Sequence, residues 1–518
     1  MTALAPRTRL MLHGPILPVL VRLAIPNLLL VLVQTSVGLI EMFWVARLGT
    51  EALAGVALVF PVVMLMTMMS GGAVGGGISS SIARAIGGGR IAVATMLAYH
   101  ALVICGVLGL VCAALVLSLG RSIYMAMGGE GASLQAALAY SNIVFAGIVL
   151  LWLLNALASI LRGSGNIAFP AAVVCIGAAA LAILSPVLIF GIGPLPPLGV
   201  KGAALAVVLY YASGSLVLAA RLASGHELVK LTLRGIRFQW HLVTDILKVG
   251  AISALISTSM TLIVALTNAV IGQAGSIVIA GYGIGSRLEY LIISITFGLG
   301  VPVVAMVGTC IGAADHRRAR RIAWLGAAIG GATAELIGVA CAIWPAPWIG
   351  LFSHDPQVLL AGSQYLRTAG PAFGFIGVGM LLYFASQGAG RMLWPAAAAL
   401  SRLAVVGAIG LLSLGWGAPD IRIAYVAVAA AMVVFGAVNV FAMRSWSRWS
   451  GSGLAEMLPG AGTDTGQVLF GGGGRELRED LAEMQMLEEF ETDRTEDLGV
   501  LQGLHGLPAA AFHQERQG

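Results

Sequence analysis

Charged side chains are scarce in this sequence. They make up 10% of the 518 residues, whereas an ordinary soluble domain carries roughly 25%. Hydrophobic residues make up 58%, and the mean hydropathy is +0.94. A membrane-spanning helix needs about 20 mostly apolar residues, so the composition predicts an integral membrane protein. About twelve such runs occur, at 16–45, 55–82, 92–119, 135–160, 167–192, 200–220, 245–271, 278–311, 321–345, 362–386, 393–415 and 421–443.

Motifs of catalysis and of cofactor binding are also missing. The sequence has no G-x-x-x-x-G-K-[ST] loop, no H-E-x-x-H pair and no G-x-S-x-G turn, which are the short patterns for nucleotide binding, zinc hydrolysis and serine hydrolysis. We therefore expect neither an enzyme nor a cofactor or metal site.

The cysteines lie inside apolar runs without metal-ligand spacing, so we expect free, buried thiols at Cys105, Cys112, Cys175, Cys310 and Cys341.

The net charge of +6 conceals an uneven distribution. Residues 451–518 contain four arginines and thirteen acidic residues, while the rest of the chain carries a net +15. If the spans alternate from a cytoplasmic N-terminus, sixteen lysines and arginines lie on one side and four on the other. Cytoplasmic loops are rich in such residues, so the pattern predicts a multi-pass protein of the cell membrane, plasma or inner, with both termini cytoplasmic. The basic excess indicates topology and not a nucleic-acid partner.

Three short motifs recur at a nearly constant offset of 225 or 226 residues. GTEALAG at 49–55 resembles GSIVIAG at 275–281, and AIGGGR at 85–90 resembles CIGAADHR from 310. GSGNIAFPAAV at 163–173 resembles GAGRMLWPAAA at 388–398. Their order predicts two copies of a six-helix half, related by an axis along the membrane normal, with a substrate path between them.

These repeats divide the chain into a cytoplasmic N-terminus, two lobes of six helices, a linker and a tail. The acidic, Gly-rich tail is typical of a mostly disordered segment, although RELREDLAEMQMLEEFE at 475–491 could form one amphipathic helix that binds a cytoplasmic partner. The segments are 1–14, 15–221 for the first lobe, 222–244 for the linker, 245–445 for the second lobe and 446–518 for the tail.

One polar stripe stands out in the first span. Asn27, Gln34 and Glu41 are spaced by seven residues, and two such steps drift only about 40° around a helix. They therefore share a face, on a helix that Pro26 can bend. We interpret the stripe as the wall of a water-filled cavity. Alternatively, Glu41 lies near the outer interface and reaches water, helped by Arg47 about 9 Å further along the helix.

Other polar side chains lie within predicted spans, and each has a structural alternative. Glu335 is deep enough that it must be protonated and bonded to backbone, paired, or hydrated. Glu289 follows Arg287 near a loop, where an ion pair is as plausible as a functional role. Asn155 could tie two helices together. The candidates facing a cavity or a substrate are Asn27, Gln34, Asn155, Ser185, Glu289 and Glu335, beside Glu41 as the candidate for cation coupling.

Four ordered stretches resemble the multidrug and toxic compound extrusion (MATE) family over residues 15–445. They are AIPNLLLVLVQTSVGLIEMFWVARLGTEALAG, LRGSGNIAFPA, SPVLIFGIGPLPPLGVKGAALA and YGIGSRLEYLIISITFGLGVPVVAMVGTCIGA. The resemblance implies an all-α, twelve-helix, two-lobed antiporter that exports organic, often cationic, small molecules across the bilayer in exchange for protons or sodium. It also implies that Glu41 keeps a carboxylate where the family usually has Asp, and that Asn155 matches a polar family position.

The sequence departs from the family at three positions. Leu181 and Ser185 stand where many members have Asn and Asp, and Val207 matches a family Thr. Sodium needs several oxygen ligands in one place, whereas a proton needs one carboxyl group. The departures therefore favour protons over sodium.

Two other functions fit parts of the pattern. A flippase for a lipid-linked or polysaccharide precursor would need a more cationic cavity than a few intramembrane bases such as Arg402 provide. A membrane receptor could signal through the acidic tail.

Overall fold

The computed structural model describes residues 5–191, 196–231, 238–415 and 421–445, with the backbone alone for residues 35, 409–415 and 445. Every regular element within these ranges is helical. The predicted helix at 475–491 and the rest of the acidic tail lie outside the described residues.

The first half of the chain forms a short surface helix and six spans. The second span contains a π-helical turn at Met68–Val74, and the fourth is bent by 48° between two helices. The helices are α1 Pro6–His13, α2 Ile16–Ala46, α3 Thr50–Thr67, α4 Gly75–Gly87, α5 Ile91–Ala126, α6 Gly131–Ala146, α7 Ile148–Gly163, α8 Ala168–Phe190 and α9 Val200–Ala223.

The second half repeats this arrangement. Its fourth span is interrupted by a 3₁₀ turn at Gly370–Ala372, where a proline cannot continue the hydrogen-bond ladder. The helices are α10 Trp240–Gly272, α11 Ser276–Gly312, α12 His316–Ile343, α13 Pro345–Gly350, α14 Pro356–Ala369, α15 Phe373–Ala389, α16 Leu393–Gly415 and α17 Ile421–Ser445.

The described residues contain the predicted number of crossings. Ten helices or near-continuous helix pairs are long and apolar enough to span a bilayer, the bent pair α6–α7 adds an eleventh, and the apolar α16 adds the twelfth. The sequence prediction of about twelve spans is therefore confirmed. The five cysteines are free thiols, as expected, although only Cys105 and Cys310 are fully buried.

The internal repeat is visible in the backbone. Gly89 and Ala314, 225 residues apart, both adopt positive φ, and Ala314 is the one non-glycine residue to do so in the described chain. Gly165 and Gly390 form a second pair of this kind. Left-handed backbone is costly for alanine, so its presence at the repeat position indicates that the two halves share a turn geometry which the fold imposes.

Two hydrophobic cores form, one in each lobe. Along the chain, the residues of the first core run from Val37 to Ile246, and the second core contains residues from Val249 to Met443. Helix α2 belongs to both, because Val19, Leu20 and Ala24 at its start pack in the second core. The first span is thus a bridge between the lobes. The predicted boundaries of the lobes and of the linker stay predictions.

The lobes meet at one end, which we call the closed end. There α4 contacts α10, α11 and α15. A β-carbon on Gly87 would lie 2.0 Å from the Thr309 carbonyl oxygen, and one on Gly312 would lie 2.0 Å from the Arg84 carbonyl oxygen. Since these two pairs are repeat equivalents, α4 and α11 cross on the pseudo-two-fold axis, with backbone against backbone.

Polar contacts reinforce the closed end. Arg84 donates two hydrogen bonds of 2.9 Å to the carboxylate of Asp245 on α10, and the Ser80 hydroxyl donates to the carbonyl oxygens of Gln387 and Gly388 on α15. By contrast, α3 has its main contacts with α2, α6 and the π-helical turn, all in the first lobe. Because α3 has no main contact with the second lobe, we call the end that carries α3 the open end.

Helix α1 lies across the closed end and contacts both lobes. Arg7 pairs with the buried carboxylate of Glu227 at 2.7 Å, and this carboxylate also accepts hydrogen bonds from Asn166 and Arg221. On the other side, Arg318 of α12 donates to the carbonyl oxygen of Met11 at 3.0 Å. Helix α1 is thus part of the closed end.

Replacement of Gly312 by alanine should destabilise the protein. The new methyl group collides with the Arg84 carbonyl, and overpacking of this kind costs about 1–3 kcal/mol. We expect a lower apparent melting temperature of the detergent-purified protein, read by size-exclusion chromatography after heating. Gly283→Ala in the same helix is the control, because a β-carbon there has nothing within 4 Å. Equal melting of the two variants would contradict the close crossing.

Candidate functional site

Glu41 lies inside the first lobe. It shares a helix face with the buried Val37 and Val45, while Leu39 and Phe43 on the opposite face are exposed. The half-buried carboxylate accepts a hydrogen bond of 3.4 Å from the Tyr140 hydroxyl of α6. The side chain of Tyr211 on α9 lies within electrostatic range of it. We call the group formed by Glu41, Tyr140 and Tyr211 the first-lobe site.

The first-lobe site contains a carboxylate without a cationic partner. Four ion pairs form among the described residues, and none includes Glu41. The guanidinium of Arg47 instead lies over the rings of Phe43 and Trp44, at 4.6 and 5.0 Å from their centroids. A carboxylate held by one hydroxyl group can exchange a proton or attract a cation more readily than one locked in an ion pair.

The polar stripe of α2 has three different environments. Gln34 is exposed and lies near Tyr210, which precedes Tyr211 on α9. Asn27 is buried, and its amide donates to the carbonyl oxygens of Phe297 and Gly298 on α11, both at 3.3 Å. The structure therefore brings Gln34 and Glu41 towards the same neighbouring helix, whereas Asn27 joins the two lobes.

The positions where the sequence departs from the MATE pattern lie on α8 and α9. Leu181 and Val207 are buried in the first core. Ser185 is completely buried, and its hydroxyl has no hydrogen-bond partner in the described part of the chain. Two of the three positions thus offer no oxygen ligand.

Asn155 supports the π-helical turn of the second span. Its amide donates to the Ser70 hydroxyl at 2.8 Å, and Ser70 in turn donates to the Met66 carbonyl. The Asn155 oxygen would be 3.2 Å from a β-carbon on Gly71. π-Helical turns widen the backbone and often occur at functional sites, so Asn155 braces a helix segment that can change shape.

Gln387 is a functional candidate that the sequence interpretation missed. It is 1% exposed, and its amide donates to the Gly72 carbonyl of the π-helical turn, to Ser253 on α10 and to Tyr383 on α15. It therefore ties both lobes together in the middle of the fold. The only sequence signal is its position just before GAGRMLWPAAA, the second copy of a repeated motif.

Glu335 and Glu289 have firm partners. The Glu335 carboxylate accepts a hydrogen bond of 2.8 Å from the backbone of Gly374, in the first turn of α15, where the helix dipole favours a negative charge. Glu289 on α11 pairs with Arg402 on α16 at 2.8 Å. Both lie in the second lobe and away from the first-lobe site.

Tyrosine hydroxyl groups are the second feature that sequence reasoning missed. Tyr140 and Tyr211 complete the first-lobe site, and tyrosines are common enough in spans to attract no notice by themselves. A signal was nevertheless present, because Tyr140 and Tyr365 are 225 residues apart and so occupy equivalent positions in the two halves.

Comparison with known proteins identifies relatives over most of the described chain. The family model MatE matches residues 26–187 and 252–411. A "FAD transporter" of Shewanella oneidensis is 28% identical over 71% of this chain and 81% of that protein. The "Probable multidrug resistance protein NorM" of Thermotoga maritima is 24% identical over 73% of this chain and 81% of that protein.

Solved structures give the same result. A MOP superfamily transporter from Pyrococcus furiosus is 25% identical, with a TM-score of 0.77 over 86% of this chain and 99% of that one. A multidrug resistance MATE family transporter in an outward-facing conformation is also 25% identical, with a TM-score of 0.76 over 86% of this chain and 99% of that one.

Replacement of Gln387 by leucine should loosen the contact between the lobes. It removes three hydrogen bonds and leaves buried partners unpaired, which costs about 1–3 kcal/mol for each unsatisfied group. We expect a lower apparent melting temperature and faster proteolysis of the detergent-purified protein. Gln273→Leu is the control, because Gln273 is exposed at the end of α10. Unchanged melting of the Gln387 variant would rule out a bridging role.

Proposed function

The chain belongs to the MatE family of membrane transporters, and on this premise we propose that it is a secondary active antiporter. It exports organic compounds, cationic or amphiphilic, in exchange for protons rather than sodium. Alternating access between two lobes moves the substrate. The observation that carries this proposal is the half-buried carboxylate of Glu41, which lies in a two-lobed transporter fold, accepts a hydrogen bond from the Tyr140 hydroxyl and forms no ion pair in the described chain.

The ligands around Glu41 favour a proton as the coupling ion. A sodium site needs several converging oxygens, and two of the positions that would supply them hold Leu181 and Val207. The Tyr140 hydroxyl donates a hydrogen bond to the carboxylate, which stabilises it and does not compensate its charge. One carboxyl group with such a partner suffices to take up and release a proton as its hydration changes.

The same charge provides the competition that antiport requires. While the first-lobe site is hydrated and open, the deprotonated Glu41 attracts a cationic or partly cationic compound. Its protonation removes that attraction and disfavours the bound cation. Since a ligand shifts a conformational equilibrium only through a difference in affinity, this exchange of charge is what links the proton gradient to export.

The distribution of basic residues supports a cytoplasmic closed end. Arg7, Arg84, Arg221 and Arg318 all take part in contacts at the closed end, and the positive-inside tendency assigns such residues to the cytoplasm. The open end then faces outward, and both termini are cytoplasmic. The related transporter solved in an outward-facing conformation has the same fold.

The nature of the substrate follows from the relatives only in broad terms. One relative is named for the transport of FAD and another for multidrug resistance, so similar folds carry different organic compounds. The many apolar and glycine positions of this chain suit a permissive cavity.

Replacement of Glu41 by glutamine should strongly reduce export driven by a pH gradient. The amide keeps the size of the side chain but cannot change charge. In proteoliposomes loaded with ethidium, we expect proton-driven transport to fall about 5- to 150-fold, as for a coupling free energy of about 1–3 kcal/mol. The matched control is Glu51→Gln, an exposed carboxylate at the start of α3.

Two further conditions make this experiment decisive. Glu41→Asp should retain part of the coupling, because it keeps an ionisable group. A sodium gradient should drive no export by the wild-type protein. Proton-driven export by the glutamine variant at the wild-type rate would remove Glu41 from the mechanism.

Deletion of residues 451–518 should leave export intact. The family match and the described spans end before this acidic tail, so we expect the truncated protein to transport ethidium at a rate close to that of the full chain in the same vesicles. Loss of export without loss of protein from the membrane would instead assign the tail a role in the transport cycle.

A further inference from the structure

The second lobe contains a polar cluster that the proposed transport cycle does not use. Glu289 on α11 and Arg402 on α16 form an ion pair of 2.8 Å, and their side chains are 13% and 4% exposed. The rings of Tyr282, Tyr365 and Tyr425 form a chain of edge contacts next to them, with centroids 5.0 and 5.4 Å apart. We call these five residues the second-lobe site.

Five spans contribute to the second-lobe site. Besides α11 and α16, they are α10 through Met260 and Thr267, α14 through Tyr365 and α17 through Tyr425. The site therefore lies within the bundle of the second lobe. Of the ion pair, Glu289 keeps the larger exposed fraction, 13% against 4% for Arg402.

Hydrogen-bond donors in this site exceed the acceptors. Arg402 gives one bond to Glu289 and one weak bond of 3.7 Å to the sulfur of Met260, while its Nε has no partner. The buried hydroxyl groups of Tyr365 and Tyr425 also lack partners. These are three of the eight buried polar side-chain atoms without a partner in the described residues. Each such group costs free energy in a dry interior, so their concentration here indicates an occupant.

The chemistry of the donors defines that occupant. A guanidinium and two phenolic hydroxyl groups match the oxygens of a carboxylate or a phosphate. A cation does not fit, because Arg402 already compensates Glu289 and would repel a second positive charge. A purely structural ion pair fits poorly too, since buried pairs are stable only when their remaining donors are satisfied.

We propose that the second-lobe site binds the acidic group of a transported organic compound, and that Glu289 is a resident anion which this group replaces at Arg402. The proposal rests on the transport function proposed above and extends it to substrates that carry a carboxylate or a phosphate. The two lobes then recognise opposite charges, Glu41 a cationic group and Arg402 an anionic one. Tyr365 and its repeat equivalent Tyr140 bind oxygens in both cases.

The proposal predicts effects of opposite sign for the two members of the ion pair. Arg402→Gln removes the positive group and should weaken binding of carboxyfluorescein, an organic anion, by about tenfold or more. Glu289→Gln removes the competing anion and should tighten this binding by a similar factor. Binding is measured by fluorescence polarisation on the purified full-length protein. Ethidium, a permanent cation, should bind both variants as it binds the wild type.

Controls separate recognition from folding. Arg402→Lys keeps the charge and should bind carboxyfluorescein better than Arg402→Gln. If a single variant proves unstable, the double variant Glu289→Gln/Arg402→Gln replaces it, because it leaves no unpaired charge at this ion pair. This double variant should also fail to bind carboxyfluorescein. Benzoate should displace the dye from the wild type, and benzylamine should not.

Several results would overturn the proposal. The first is the absence of carboxyfluorescein binding by the wild type, and the second is a change of dye affinity in the same direction in both single variants. The third is displacement of the dye by inorganic phosphate as strong as that by benzoate, which would indicate a site for free anions. Ethidium export with its dependence on Glu41 is recorded in parallel, so failure of the second-lobe site and failure of the proposed antiport are distinguishable.

Discussion

Hydrocarbon offers no partner to a polar side chain, and this constraint decides where each acid of the membrane region lies. A charged group in a span must find protein or water, at a cost of at least about 2.5 kcal/mol if it does not. Glu335 satisfies the constraint with the backbone of α15, and Glu289 does so with Arg402. Glu41 has only a tyrosine hydroxyl within hydrogen-bond distance. The carboxylate with the weakest partner is therefore the one whose charge the surroundings can change most easily.

The closed end shows how the same chain can be stable and still open. Its central contact is a crossing of backbones at Gly87 and Gly312, which gains van der Waals packing but no deep interdigitation of side chains. The surrounding polar contacts are few, and Asp245 is half exposed in its pair with Arg84. Ion pairs of this exposure contribute about 1 kcal/mol or less. Such contacts are weak beside the two lobe cores, which are extensive, and so they fit the alternating access that we propose.

Sequence reasoning recovered the spans, the repeat and the family because those depend on local composition and ordered motifs. It placed Asn27 and Glu41 on one helix face, but it could not see that α2 passes from one core to the other, so that Asn27 contacts α11 and Glu41 contacts α6. The partners of Gln387 come from α10, α15 and the π-helical turn. Contacts between distant spans produce no periodic pattern in the sequence. The π-helical turn depends on tertiary packing around Gly71 and Gly72.

The internal repeat explains why the two lobes have the same arrangement of helices and yet carry different charged side chains inside. At the 226-residue offset of the neighbouring motif, Glu41 has Thr267 as its repeat equivalent, and Arg402 has Gly177 at the offset of 225. A β-carbon on Gly177 would lie 2.9 Å from the ring of Tyr210. An arginine at this position would have to displace that ring, so the packing of the first lobe excludes the cation found in the second. The tyrosine that packs on Gly177 and the arginine that pairs with Glu289 thus occupy the same region of a repeated bundle, and each choice sets the charge inside its lobe.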